Sequence, residues 1–131
     1  MNQVPITSIY AALLGLIFVA ITLRIALTRN ARKLSLGDGG DREFNKLIRG
    51  QANFTESTPI ALILILLLEL QGTSAITLHT LGIALLAGRL SHYLQLTGSI
   101  EPLIFRSAGM ILTLGTIMIA ASRLLTGGLS N

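Results

Sequence analysis

The sequence predicts an all-α membrane protein, one domain over residues 1–131 built as a four-transmembrane-helix bundle. Three observations carry that reading. Of the 131 residues, 51% are hydrophobic and 12% are charged, and the mean hydropathy is +0.71. That balance is far from a soluble globule. The apolar residues are gathered into four runs, about 6–27, 44–70, 75–96 and 102–125, each near the length of roughly 20 residues that spans a hydrocarbon core. The segments between the runs are polar and carry glycine, which marks turns.

The same totals exclude other classes. The net charge is +4 and aromatics are 5%, but the basic residues lie beside apolar runs, with none of the basic patches interleaved with aromatics that bind nucleic acid. The absence of cysteine rules out disulfides, protein thiolates and Cys-based metal sites. His79 and His92 stand in no metal-ligating spacing, so no metal is expected.

Ile6 to Leu27 is the first span. It follows five residues without a basic segment, so a cleaved signal peptide is not expected. Arg24 lies near its end and can snorkel to the interface. Residues 28–41, TRNARKLSLGDGGD, bring Arg29, Arg32 and Lys33 before a Gly/Asp cluster. The cluster reads as a flexible turn, with Asp38 or Asp41 placed to cap the next helix.

The second helix runs from about Asp41 to Leu70. At 1.5 Å per residue it is longer than the hydrocarbon is thick, so its first turns project toward the headgroups. Pro59 predicts a kink just after Glu56 rather than an end, because neighbouring helices and local adjustments satisfy the freed backbone groups in membrane helices. Residues 71–74 form a short turn. The third span, 75–96, is interrupted by His79 and by Arg89, His92 and Tyr93, the last three sharing a face at i, i+3 and i+4 spacing. A turn at Gly98 leads to the fourth span, where Pro102 suits a first helical turn, Arg106 follows, and Gly109 allows close helix approach.

Arg24, Arg29, Arg32, Lys33, Arg42, Lys46 and Arg49 all flank the first loop. The positive-inside rule then places the first and third loops in the cytoplasm and both termini outside. Arg123 alone dissents.

In the stretch FNKLIRGQANFTESTPIALILILLLEL, Phe44 to Leu70, three strongly polar residues share a narrow face. Asn53 falls about 40° to one side of Arg49 and Glu56 about 20° to the other. Arg42 and Asn45 lie on the same stripe. Polar groups at membrane depth are costly and turn toward a bundle interior or a cavity; the same stripe also fits a helix end still in water. The predicted orientation brings Arg89, His92 and Tyr93 to the same end, together with Arg106. Two roles are open for this convergence. Arg49, Arg89 and Arg106 are forks suited to carboxylates, while Asn53 and Glu56 can meet an ammonium or an amide, so a small zwitterion with several carboxylates fits. Alternatively Arg49–Glu56 and Arg89 form buried ion pairs that fix helix packing.

RGQANFTESTP, Arg49 to Pro59, resembles the second-helix motif of the MAPEG superfamily, the membrane-associated proteins in eicosanoid and glutathione metabolism. That motif reads roughly Arg-x-x-x-Asn-x-x-Glu before a proline. The four-span layout, the basic first loop and GRLSHY, Gly88 to Tyr93, are similar too, so the likeness covers nearly the whole chain and is nearest to short bacterial members. It implies an inner-membrane homotrimer with glutathione, as co-substrate, bound between subunits near the cytoplasmic face. Arg49, Asn53 and Glu56 would hold it from one subunit. Gln51, off that stripe, would reach a site shared with the neighbour. Arg29 resembles a basic residue of the first loop, and Arg89, His92 and Tyr93 fall in the third-helix pattern. Arg106 resembles the arginine that helps form the thiolate in catalytic members. Ser57 and Leu96 stand where other members have tyrosine, which argues against eicosanoid synthesis.

The function this implies is glutathione transfer to lipophilic electrophiles, or reduction of lipid hydroperoxides. The rival is a non-catalytic glutathione binder or scaffold of the same fold. A small four-helix multidrug exporter is disfavoured, because the first span holds no carboxylate and the charge bias is strong.

Overall fold

Pro5 opens the first helix, where the N–H that proline lacks would have no acceptor in any case. The computed structural model describes residues 3–129, and these form α1 (Pro5–Arg32), α2 (Arg42–Leu70), α3 (Ala75–Leu96) and α4 (Ile104–Leu129). Among the described residues there is no strand. The fold is an all-helical membrane bundle in which α3 packs against each of the other three helices and α2 also meets α1 and α4.

α1 continues past its apolar run into the basic segment. It ends at Lys33, in the left-handed conformation with φ 54°, whose N–H bonds the carbonyls of Arg29 and Asn30. The loop that follows, expected as a flexible turn, is tied down by its arginines. Arg29 Nη1 donates to the Gly37 carbonyl at 2.7 Å, and Arg32 pairs with Asp41. Both guanidinium groups lie over the buried Phe44 ring, at 5.2 and 5.4 Å. Asp41 caps α2 by accepting from the Phe44 N–H at 3.0 Å, while Asp38 accepts from the Gly40 N–H within the turn.

α2 runs unbroken through Pro59. α4 starts later than its apolar run, at Ile104, with Pro102 just outside accepting from the Phe105 N–H at 3.1 Å.

Three helices, Pro5–Arg32, Arg42–Leu70 and Ile104–Gly128, are long and apolar enough to cross a membrane. α3 falls short of that apolar measure, although it packs as the remaining helix of the four-helix bundle. Its buried stripe explains why: Leu78, Leu81 and Leu85 give way to Arg89, His92 and Tyr93 on the same side. Hydropathy averages over the whole circumference, and here the polar groups are turned inward. Most of the outer surface along the spans is apolar, as lipid requires; Ile111, for example, is 70% exposed.

Two contacts set how the helices meet. α3 and α4 touch backbone to backbone at Gly88 and Gly109, where a Cβ on Gly109 would lie 2.6 Å from the Gly88 oxygen. Small residues permit such close crossings where lipid leaves little hydrophobic drive between helices. At the far end, His79 Nδ1 and Tyr10 Oη are 2.9 Å apart and join α3 to α1.

Glu69, unremarkable within an apolar run, has a role that periodicity did not suggest. Its two carboxylate oxygens accept from the backbone N–H groups of Ile6 at 2.9 Å and Thr7 at 2.7 Å. α1 has no acidic residue in its first turn and no side-chain cap of its own, so a carboxylate from α2 satisfies the orphan donors and the helix dipole. Glu69→Ala is expected to cost about 1–2 kcal/mol, read as a lower thermal midpoint in detergent; an unchanged midpoint would contradict the cap.

Candidate functional site

The start of α2, the end of α3 and the start of α4 meet at one end of the bundle. Between them opens a cleft of about 650 Å³. α2 contributes Arg42, Glu43, Asn45, Lys46 and Arg49 over its first two turns; α3 and the loop after it contribute Gln95, Gly98 and Glu101; α4 contributes Arg106. Lys46 is paired with Glu43 at 2.7 Å. Among the described residues Arg42, Arg49 and Arg106 make no ion pair, and against them stands the one unpaired carboxylate of Glu101, so the cleft is net positive.

A second cavity of about 530 Å³ adjoins it, lined by Asn53, His92, Leu103, Arg106, Ser107, Met110 and Ile111. Leu103 and Arg106 belong to both. Arg106 therefore stands between a cationic cleft level with the helix ends and a more apolar cavity one turn deeper along α2.

The nine residues singled out from the sequence are not all brought together. Arg49 and Arg106 line the cleft, and Asn53, His92 and Arg106 line the second cavity. Tyr93 does not line either. It is buried against Gly50 of α2, where an added Cβ would lie 2.9 Å from its ring, and its hydroxyl has no partner. Of the neighbours His92 and Tyr93, His92 is the one that reaches a cavity. Gln51 donates from Nε2 to Thr22 Oγ1 of α1 at 2.9 Å. Arg29 is held by Gly37 and Phe44. Glu56 is exposed on the outside of α2, midway along the helix.

Arg89 is 2% exposed. Its Nε donates to Thr113 Oγ1 of α4 at 2.8 Å. Its Nη1 donates to Asn53 Oδ1 at 3.0 Å, the Asn53 carbonyl at 3.2 Å and Ser57 Oγ at 2.9 Å, all on α2. Nη2 is buried without a partner. The ion-pair alternative is thus corrected: Arg49 and Glu56 are both exposed and unpaired, and Arg89 is held by neutral oxygens. Thr113 and Ser57 were missed as its partners. The available signal was a hydroxyl in an otherwise apolar helix, which at membrane depth needs a polar neighbour.

The family model described as the MAPEG family matches residues 7–126. The chain belongs to the MAPEG family. The matched segment contains every residue of both cavities. Among MAPEG-like relatives, the inner membrane protein YecN of Escherichia coli strain K12 is 36% identical over 88 residues, 67% of each chain. YecN of E. coli O6:H1 gives the same values. Apolar helices of spanning length and likeness to inner membrane proteins make this MAPEG chain an integral protein of the inner membrane.

Gly50 places α2 close enough to α3 for Tyr93 to pack between them. Gly50→Val should destabilise by about 1–3 kcal/mol through overpacking, and Tyr93→Ala in the same chain should restore part of that loss. Thermal midpoints of the single and double variants check this; additive losses would contradict it.

Proposed function

We propose that this protein binds glutathione in the cationic cleft and uses it against lipophilic electrophiles or lipid hydroperoxides. Glutathione is here a co-substrate. The observation that carries the reading is the placement of Arg106, which lines both the cationic cleft and the apolar-walled cavity. Glutathione has two carboxylates, one ammonium and a thiol. Arg42 and Arg49 suit the carboxylates as bidentate donors. A guanidinium beside the thiol favours the thiolate, because an adjacent positive charge stabilises the ionised form. The second cavity opens among Met110, Ile111 and Leu103, so an apolar molecule from the bilayer can approach the sulfur from that side.

In transfer, the thiolate forms a bond to an electrophilic carbon and the leaving group departs with its electron pair. In peroxide reduction, the thiolate takes the terminal oxygen and the hydroperoxide leaves as an alcohol; the sulfenate takes a proton from water, and a second glutathione thiol reduces the sulfenic acid to give the disulfide and water.

The exposed carboxylate of Glu56, midway along a spanning helix, supports a homotrimer in which a neighbouring copy covers this face. Ionisable groups facing lipid are costly and seek a protein interior. Arg49, Asn53 and Glu56 then belong to one shared site. The charge bias around the first loop supports first and third loops in the cytoplasm.

One observation favours the non-catalytic reading: no tyrosine lines either cavity among the described residues. Purified protein in detergent should bind glutathione, with affinity lowered about tenfold or more by Arg49→Ala. It should turn over chlorodinitrobenzene or a lipid hydroperoxide, with kcat reduced by Arg106→Ala. Binding without turnover would support the scaffold; unchanged affinity in Arg49→Ala would count against the site.

A further inference from the structure

We infer that Arg89 is a positioning residue that fixes Asn53 as a hydrogen-bond donor toward the second cavity, so that the ligand atom met there is a carboxylate or carbonyl oxygen. The identity of the ligand rests on the glutathione reading; the orientation of Asn53 does not.

A guanidinium has donors and no acceptor. Arg89 Nη1 lies 3.0 Å from one terminal atom of the Asn53 side chain, and that atom must be the carbonyl oxygen. The usual ambiguity between amide oxygen and nitrogen is thereby settled by the hydrogen-bond network. The oxygen is occupied from inside the bundle. The NH2 end of the same planar amide is directed away from the guanidinium, makes no hydrogen bond within the described residues, and belongs to a residue that lines the cavity with His92 and Arg106.

Charge acts in the same direction. The ion pairs among the described residues are Arg32–Asp41 and Lys46–Glu43, so no carboxylate lies within 4 Å of Arg89. A buried, uncompensated cation stands behind the amide. Donor polarity in front and positive charge behind both select an oxygen and refuse an ammonium. Within glutathione, the γ-glutamyl amino group is therefore directed elsewhere, and a carboxylate or peptide carbonyl meets Asn53.

Arg89 touches neither cavity, so its effect on a ligand passes through Asn53. The Nε bond to Thr113 and the Nη1 bond to Ser57 hold the guanidinium plane from two helices, which leaves the amide one orientation.

The decisive variant is Asn53→Asp. It is nearly isosteric, replaces the NH2 donor with an acceptor, and supplies Arg89 with a carboxylate. The thermal midpoint of the unliganded protein in detergent should rise, while glutathione affinity measured by calorimetry should fall about tenfold or more. A merely structural pair would move the midpoint and leave affinity alone. Arg89→Lys keeps the charge but loses the fork; it should weaken binding in the parent protein and have no further effect on affinity in an Asn53→Ala background. Wild-type affinity in Asn53→Asp, or additive losses for Arg89→Lys and Asn53→Ala, overturns the inference. Should the unsubstituted protein bind no glutathione, the functional reading and the ligand part of the inference fall together, and the Asn53→Asp midpoint tests the orientation of Asn53. A rise supports the Arg89–Asn53 pairing, and a fall or no change overturns it.

Discussion

A guanidinium buried at membrane depth, with no carboxylate to neutralise it, constrains everything around it. Arg89 costs several kcal/mol to bury, and the bundle meets that cost with oxygens from two other helices. Asn53 and Ser57 reach it from α2, and Thr113 from α4. Apolar contact alone does little to select one arrangement of helices in lipid, since the tails are as apolar as leucine. Polar bonds and close glycine crossings do select one. Gly88, the residue before Arg89, meets Gly109, one turn before Thr113. The crossing and the hydrogen bond therefore fix the same stretch of α3 against α4.

The cleft follows from that fixed stretch. With α3 locked at Arg89, its last turn carries Gln95 out to the bundle end, opposite the first turns of α2. Those turns are themselves anchored, because Arg29 and Arg32 close over Phe44 and Asp41 caps the helix. Two rigid walls then face each other, and α4 enters between them with Arg106 near its start. The proposed chemistry, an acidic peptide thiol meeting a lipophilic molecule, asks for such a boundary between charge and apolar surface. Glu69 at the opposite end does comparable work for α1, whose N-terminus would otherwise present unpaired donors.

Much of this was legible from residue types. Four apolar runs, the Asp41 cap, the continuation through Pro59 and the close approach at Gly109 all follow from local chemistry. So does the gathering of Arg49, Asn53, His92 and Arg106 at one end, since helical spacing and span length fix it. What periodicity could not decide is which way a polar side chain turns once several helices compete for it. Arg89 and Arg49 look alike in sequence, yet one is sealed inside and the other opens to a cleft. Tyr93 and His92 are adjacent and both buried, but Tyr93 takes the room left by Gly50 while His92 meets the second cavity. Gln51 spends its amide on Thr22 because α1 lies on that side. The boundaries also moved where an apolar run and a helix are different things: α1 persists into its basic tail, and α4 waits until Pro102 is past. α3 turns Arg89, His92 and Tyr93 to its buried side, which lowers its apolar character and at the same time serves the site.

A structure of the protein in lipid with bound glutathione would test the central claim most directly. The account predicts the tripeptide across the cleft, with carboxylates on Arg42 and Arg49, the sulfur beside Arg106 and facing Met110 and Ile111, and a glutathione oxygen on the Asn53 amide nitrogen. Glutathione absent at saturating concentration, with Arg49 and Arg106 facing open water in every copy, would contradict it.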